Sequence, residues 1–249
     1  MTLARLNNLT ASLLTSKLDA VILNPGPTLT YLTGVHFHLM ERPVVLFVAP
    51  GQDPVLVLPE LELPKLVLFP YKVQGVAYGE NPSEWENAFR KAAQSLGLDG
   101  KRIGVEPRQL RLLEFSHVKA GAPESEFPDA SNVLSALRLK KDKAEVDAMR
   151  RAVKIAQDAL EATIPLMKIG MTERELSSEL VIQLLKNGSD PEFPFAPIVS
   201  AGPNSANPHA SPTERKLQAG DLLVVDWGAA YDGYISDLTR TCSVGEVED

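Results

Sequence analysis

The spacing of apolar residues changes several times along the chain, and each change predicts an element. Leu3, Leu6, Leu9, Leu13 and Leu14 recur at helical spacing and predict an amphipathic helix of roughly four turns. Residues 20–23 form an unbroken apolar run closed by Asn24–Pro25–Gly26–Pro27, which predicts a buried strand. Runs at 44–48 and 55–58 repeat that pattern on either side of a Pro50–Gly51–Gln52–Asp53 turn. Asn81 followed by Pro82 predicts a helix start, and Gly97 a stop near Leu96. Residues 102–105 predict a further strand, and a short helix is expected after Pro107. Strands alternating with helices imply an α/β layer with a mixed sheet, over residues 1–135.

Beyond residue 135 the pattern changes again, and residues 136–249 read as a second domain. Asp142 and Glu145 have capping-box spacing, and the helix they open carries Val146, Met149, Val153, Ala156 and Leu160 on one stripe. Thr172 and Glu175 form a second box, opening a helix that stops at Asn187–Gly188. Residues 195–200 predict a strand leading into a Pro- and Asn-rich loop that carries His209. The run 221–228 is a strand ending at Asp226. Asp232–Gly233 turns the chain, and Tyr234–Ile235–Ser236–Asp237 brings it back. A two-residue turn there sets Asp226 opposite Thr239 and Asp237 opposite Gly228, so the two carboxylates share a face as diagonal neighbours. Such a pair repels unless a proton or a cation lies between. It is either half of a metal site or a hairpin with solvated acids. The apolar run before Asp226 favours a buried end.

Composition narrows the function classes. The chain has 249 residues, 44% of them hydrophobic, and a net charge of −7. The acidic balance argues against nucleic acid as a partner, since phosphate recognition needs clustered Lys and Arg. The basic stretch 138–143 is soon followed by acids and reads as a solvated linker. One cysteine, Cys242, excludes an internal disulfide framework and fits a reducing compartment. No apolar run approaches the ~20 residues of a membrane span, and no signal-peptide core is evident, so the expected location is the cytoplasm. His36 and His38 lie two apart on an extended segment and face the same way, where they could share a substrate group; as an isolated pair they are not expected to bind metal. Asn204 and Ser205 are expected to shape their loop, and Arg240 to pair with a carboxylate in the sheet.

Three stretches carry a family resemblance: Gly202–Pro203–Asn204–Ser205–Ala206–Asn207–Pro208–His209; Arg215–Lys216–Leu217 with Gly220–Asp221; and Val224–Val225–Asp226–Trp227–Gly228 continuing to Tyr234–Ile235–Ser236–Asp237–Leu238–Thr239–Arg240–Thr241. Together they closely resemble the Xaa-Pro peptidase and creatinase family. Tyr31–Leu32–Thr33–Gly34 and the junction around 137–145 extend the resemblance over nearly the whole chain. It implies an α/β fold: a ribonuclease H-like creatinase-type N-terminal domain, then part of a pita-bread, methionine aminopeptidase-like catalytic domain. It further implies that Asp226 and Asp237 are ligands of two divalent ions (Mn²⁺, Zn²⁺ or Co²⁺), and that His209 stabilises the tetrahedral intermediate. The implied reaction is hydrolysis of the bond before proline, by a dipeptidase or an aminopeptidase acting on proline-containing peptides.

The family also forms homodimers in which the loop holding His36, His38, Glu41 and Arg42 approaches a neighbouring active site and restricts substrate length. Its remaining ligands, one His and two Glu, lie downstream of the position matching Asp237. The sequence ends at Asp249, so the expectation is an incomplete catalytic domain, inactive as it stands, with the option that it binds no metal. Its last residues, 245–249, read as a surface turn. Two alternatives remain: a creatinase-type hydrolase that uses no metal, and a non-catalytic peptide- or protein-binding module on the same fold.

Overall fold

A computed structural model describes residues 2–245. Residues 246–249, most of the expected surface turn, lie outside the described residues. The chain divides into two compact units, Met1–Lys140 and Lys141–Asp249.

The first unit contains α1 (Thr2–Thr15), β1 (Ala20–Leu23), α2 (Pro27–Thr33), β2 (Val45–Val48), β3 (Val55–Pro59), β4 (Gln74–Tyr78), α3 (Pro82–Ser95), β5 (Ile103–Gly104), α4 (Leu112–Gly121) and α5 (Ser131–Leu139). Its strands form one sheet in the order β4-β3-β2-β1-β5. β1–β2 and β2–β3 are antiparallel, while β1–β5 and β3–β4 are parallel, the mixed sheet the sequence implies. The strands carry apolar side chains on both faces because helices cover both. Ile22, Val45 and Phe47 pack with Trp85 and Phe89 of α3 and Val118 of α4. Val21, Leu23, Leu46 and Leu56 pack with Leu9 and Leu13 of α1, Leu32 of α2 and Leu134 of α5.

Three local differences from expectation have physical causes. α2 follows the Asn24–Gly26 turn directly, with Pro27 at its first position and Gly34 at φ 73° closing it. The helix expected after Pro107 begins only at Leu112, because Gln109 and Leu110 first turn back to the Glu106 carbonyl and Arg111 is extended. The basic stretch 138–143 is not a solvated linker throughout: it begins inside α5, where Arg138 Nη1 donates to Thr28 Oγ1 at 3.2 Å.

The second unit contains α6 (Lys143–Thr163), α7 (Glu173–Lys186), β6 (Ile198–Ala201), β7 (Leu222–Trp227), β8 (Ala230–Tyr231), β9 (Tyr234–Ile235) and β10 (Leu238–Ser243). Both capping boxes are formed. β6, β7 and β10 make an antiparallel sheet in the order β10-β7-β6, and β8–β9 form a short ribbon beyond it. α6 buries the expected stripe only in part: Ala156 is buried and Leu160 packs against the core, but the buried face is shifted toward smaller residues. Its buried positions are Glu145, Ala152, Ile155, Ala156, Ala159 and Thr163, while Val153 is exposed. Small residues win that face because the sheet comes close: the Trp227 indole donates to the Ala156 carbonyl at 2.8 Å, and Ser236 Oγ to that of Ala152 at 3.1 Å.

Candidate functional site

Alternation along β7 separates packing from chemistry. Leu223, Val225 and Trp227 are buried against α6 and α7. Leu222, Val224 and Asp226 point to the opposite face, as the period of two requires. On that face Asp226 lies in one row with Ile198 of β6 and Thr239 of β10. Among the described residues its buried Oδ1 has no hydrogen-bond partner, and the buried Ser200 Oγ on the same face has none either. A buried carboxylate oxygen without a donor is costly, and native structures rarely keep one without a reason.

The hairpin places the second carboxylate. Asp232 and Gly233 both have positive φ (51° and 75°), the two-residue turn expected from Asp-Gly. Tyr231 pairs with Tyr234, and the register reaches β10 with Leu238 opposite Trp227 and Thr239 opposite Asp226. Asp237 therefore falls beside Gly228, diagonal to Asp226 on the same face, and is exposed. Gly228 is required here, since a Cβ would sit 2.1 Å from the Ser236 carbonyl oxygen. Ser236 is buried, and its Oγ accepts from Ala229 N at 3.0 Å. Tyr234 donates to Glu145 Oε1 at 2.8 Å, and Glu145 Oε2 accepts from Asp142 N. The start of α6 thus anchors the ribbon that presents Asp237.

His209 is exposed on the loop that follows β6. Its backbone N donates to Asn207 Oδ1 at 3.1 Å. Gly202 opens the loop at φ 51°, where a Cβ would lie 2.6 Å from both Arg215 Nη2 and Asp221 Oδ1. Those two residues form a bidentate pair at 2.7 and 2.9 Å. Hydrogen bonds from Arg215 hold the Asp221 carboxyl below its ordinary value against the pull of burial, and the same pairing raises the Arg215 guanidinium. Ser205 Oγ donates to the Gly202 carbonyl and Asn204 to Glu173, so both shape the loop as expected. Among the described residues Arg240 forms no ion pair with a carboxylate, contrary to expectation. It is exposed at the sheet edge and donates to the Thr239 carbonyl at 2.7 Å.

The structure thus sets Asp226 and Asp237 on one face. His209 is on a loop leaving the sheet beside Leu223, and among the described residues no hydrogen bond or ion pair joins it to either carboxylate. No group of three or more His, Cys, Asp or Glu suited to a metal ion occurs among the described residues. The two carboxylates on their own fit a hard divalent cation as part of its ligand shell, with the unpartnered Asp226 Oδ1 as the observation in favour.

The N-terminal candidates occupy the first unit. His36 and His38 are both exposed while Val35 and Phe37 are buried, the alternation expected of an extended segment. Lys65 Nζ donates to the His36 carbonyl at 3.2 Å and lies 4.7 Å from the centroid of the Phe37 ring. Arg42 is engaged with Glu80 and Glu41, and its hydrogen bond to Glu80 raises the guanidinium above its ordinary value. The sequence pattern missed two residues, Glu145 as the anchor of Tyr234 and the fully buried Glu173. Each lies at a helix start, where a Glu is ordinary and signals nothing by itself.

Comparisons with known proteins agree along the length of the chain. Residues 5–140 match the creatinase/prolidase N-terminal domain, and residues 147–249 match metallopeptidase family M24. A Xaa-Pro dipeptidase of Lactobacillus delbrueckii subsp. lactis is 28% identical over 93% of this chain and 63% of its own length. A putative dipeptidase of Bacillus subtilis is 27% identical over 89% of this chain and 61% of its own. The chain therefore spans less than two thirds of the length of these relatives. Among solved structures, a dipeptidase from Pyrococcus horikoshii superposes with a TM-score of 0.88 at 32% identity, over 98% of this chain and 66% of that one. A prolidase from Thermococcus sibiricus superposes at 0.91 with 28% identity, over 100% and 67%. With both domains matched in order and the fold shared across the whole chain, this protein belongs to the creatinase/prolidase family, carrying a creatinase-type N-terminal domain followed by metallopeptidase family M24 sequence.

Proposed function

We propose that the chain serves a metal-dependent peptidase that hydrolyses the Xaa-Pro bond, as a dipeptidase or an aminopeptidase. The observation that carries this reading is the unpartnered Asp226 Oδ1 on the face shared with Asp237. Relatives named Xaa-Pro dipeptidase and prolidase support it. In this reading Asp226 and Asp237 hold two divalent ions, of which Mn²⁺ best suits oxygen-rich ligation, together with the His and two Glu that the family supplies further along. When bound, such ions supply Lewis acidity toward the scissile carbonyl and water. His209 donates a hydrogen bond to the reacting peptide and steadies the charge that develops there. Trp227 and Ser236, both buried, keep the two carboxylates in register.

The retained carboxylates argue against a creatinase-type hydrolase that dispenses with metal. The single Cys242 fits a cytoplasmic enzyme, and no helix among the described residues is long and apolar enough to cross a membrane. A homodimer, with His36, His38 and Arg42 lining the substrate path of the neighbouring subunit, completes the proposal.

The test is Mn²⁺ titration and proline-peptide hydrolysis in a chain of the relatives' full length. Asp237→Ala should abolish metal-dependent turnover. His209→Ala should lower kcat on the order of 10²-fold with metal content unchanged. Undiminished turnover in Asp237→Ala would remove that residue from the site. Peptide binding without turnover in the unsubstituted protein would replace the peptidase with a binding module.

A further inference from the structure

Glu173 is the first residue of α7, and its side chain is fully buried. Among the described residues it forms no ion pair. Its carboxylate is met instead by donors from both ends of one segment, Ala201 and Asn204 at its start and Thr213 at its end. Oε1 accepts from Ala201 N at 2.8 Å, and both oxygens accept from Asn204 Nδ2 at 3.1 Å. Oε2 accepts from Thr213 N at 3.0 Å and Thr213 Oγ1 at 2.6 Å. Ala201 is the last residue of β6, and Thr213 lies four residues beyond His209. The Glu173 backbone N donates to the Arg215 carbonyl, and the Arg174 N to that of Thr213. Within the tethered segment, Ala210 N donates to the Asn207 carbonyl, and Asn207 holds the His209 backbone.

We infer that Glu173 is the positioning residue of the His209 loop: one buried carboxylate that fastens both ends of residues 201–213 to the rigid start of α7. Its site favours the anion. Burial opposes ionisation, but the donors from Thr213, Ala201 and Asn204 outweigh it and hold the carboxyl below its ordinary value. The N-terminus of α7 adds a favourable helix dipole. The backbone N–H groups of Ala201 and Thr213 fix the loop by direction as well as distance. The catalytic consequence rests on His209 acting on substrate as proposed above; the tether itself does not.

The test replaces Glu173 with Gln, which keeps the shape but turns a donor toward Thr213. Hydrogen exchange in this chain is expected to accelerate on the order of 10- to 100-fold at Ala201, Thr213 and the amides between them. The α6 amides and the Trp227 indole should be unchanged. Equal acceleration across the second unit, or none in the loop, would overturn the inference. Thr213→Val, which removes the 2.6 Å bond to Glu173 together with the acceptor of Asn204 Nδ2 and Arg215 N, should give an acceleration equally confined to the loop if Glu173→Gln does not fold. For catalysis, in the chain of the relatives' length, Glu173→Gln should lower kcat with KM nearly constant and cost little more once His209 is Ala. Additive losses would show that Glu173 does not act through His209. Absence of turnover in the unsubstituted protein would sink the peptidase reading, while the exchange result would still decide the tether.

Discussion

The two sheets of the molecule treat burial differently. In the first unit every residue of β1 and β2 is buried, because α3 and α4 cover one face and α1, α2 and α5 the other. In the second unit β7 alternates. Leu223, Val225 and Trp227 are sealed beneath α6 and α7, whereas Leu222, Val224 and Asp226 stand on a face with exposed and half-buried positions. A sheet covered twice has no room for a functional carboxylate, since any charge there would be desolvated on all sides. A sheet covered once can present acids from a backbone that is itself rigid. The candidate chemistry falls where the second covering layer is missing among the described residues.

Neighbouring substitutions would break or sharpen that contrast. On β2 the adjacent changes Leu46→Ala and Phe47→Ala should both be costly, about 2–5 and 3–5 kcal/mol. On β7 adjacent changes should diverge. Val225→Ala, on the covered face, should cost about 2 kcal/mol from lost methyl burial and the cavity left behind. Val224→Ala, on the other face, should cost less than about 1 kcal/mol. Urea midpoints measure all four. Equal costs at Val224 and Val225 would mean that both faces of β7 are packed, and the distinction would fail.

A medium effect concerns the ion pair that braces Gly202. Asp221 titrates below its ordinary value in the folded chain, through its hydrogen bonds from Arg215. Its contribution is therefore fully present above the unfolded value of about 4 and is lost as pH falls through the folded value. Replacing Arg215 with Gln should cost about 1.5–3 kcal/mol at neutral pH, the range for hydrogen bonds to a charged group. It should also flatten the loss of stability below about pH 4. Denaturant midpoints between neutral pH and pH 3 would show an unchanged slope if the pair were not responsible.

The legible parts of the fold were those whose signal is local. The two capping boxes, the Asp232–Gly233 turn and the Asp226–Thr239 register all follow from spacing and turn chemistry, and all are present. Facts set by distant partners stayed hidden. Nothing in the pattern of α6 announces that the Trp227 indole would need the Ala156 carbonyl, and of the apolar stripe that includes Ala156 the larger Val153 is exposed. α2 was masked by the Pro- and Gly-rich turn that starts it. Glu173 went unnoticed because its partners, Ala201 and Thr213, are 28 and 40 residues away. The shared face of Asp226 and Asp237 follows from the turn and its register, whereas the contacts of Glu173 and Glu145 that hold the neighbouring loop and ribbon do not.

Two carboxylates in the second unit give the smallest and most telling test. Glu173 is fully buried and saturated with donors, and Asp226 is half-buried with one oxygen that meets no donor among the described residues. Structural carboxylates are stabilised by the donors they collect, so neutralising Glu173 should destabilise the chain. Asp226 has collected too few donors, so Asp226→Asn removes a poorly solvated charge and strands no donor group. Its expected effect on the metal-free chain is between zero and a gain of about 1 kcal/mol. The same substitution should erase any rise in melting temperature that Mn²⁺ gives the unsubstituted chain, because ligand-linked stability requires the ligand's own contacts. A loss of more than about 1 kcal/mol in Asp226→Asn without metal would mean that Asp226 is structural, as Glu173 is. The position would then be removed from the candidate metal site despite its place in the sheet.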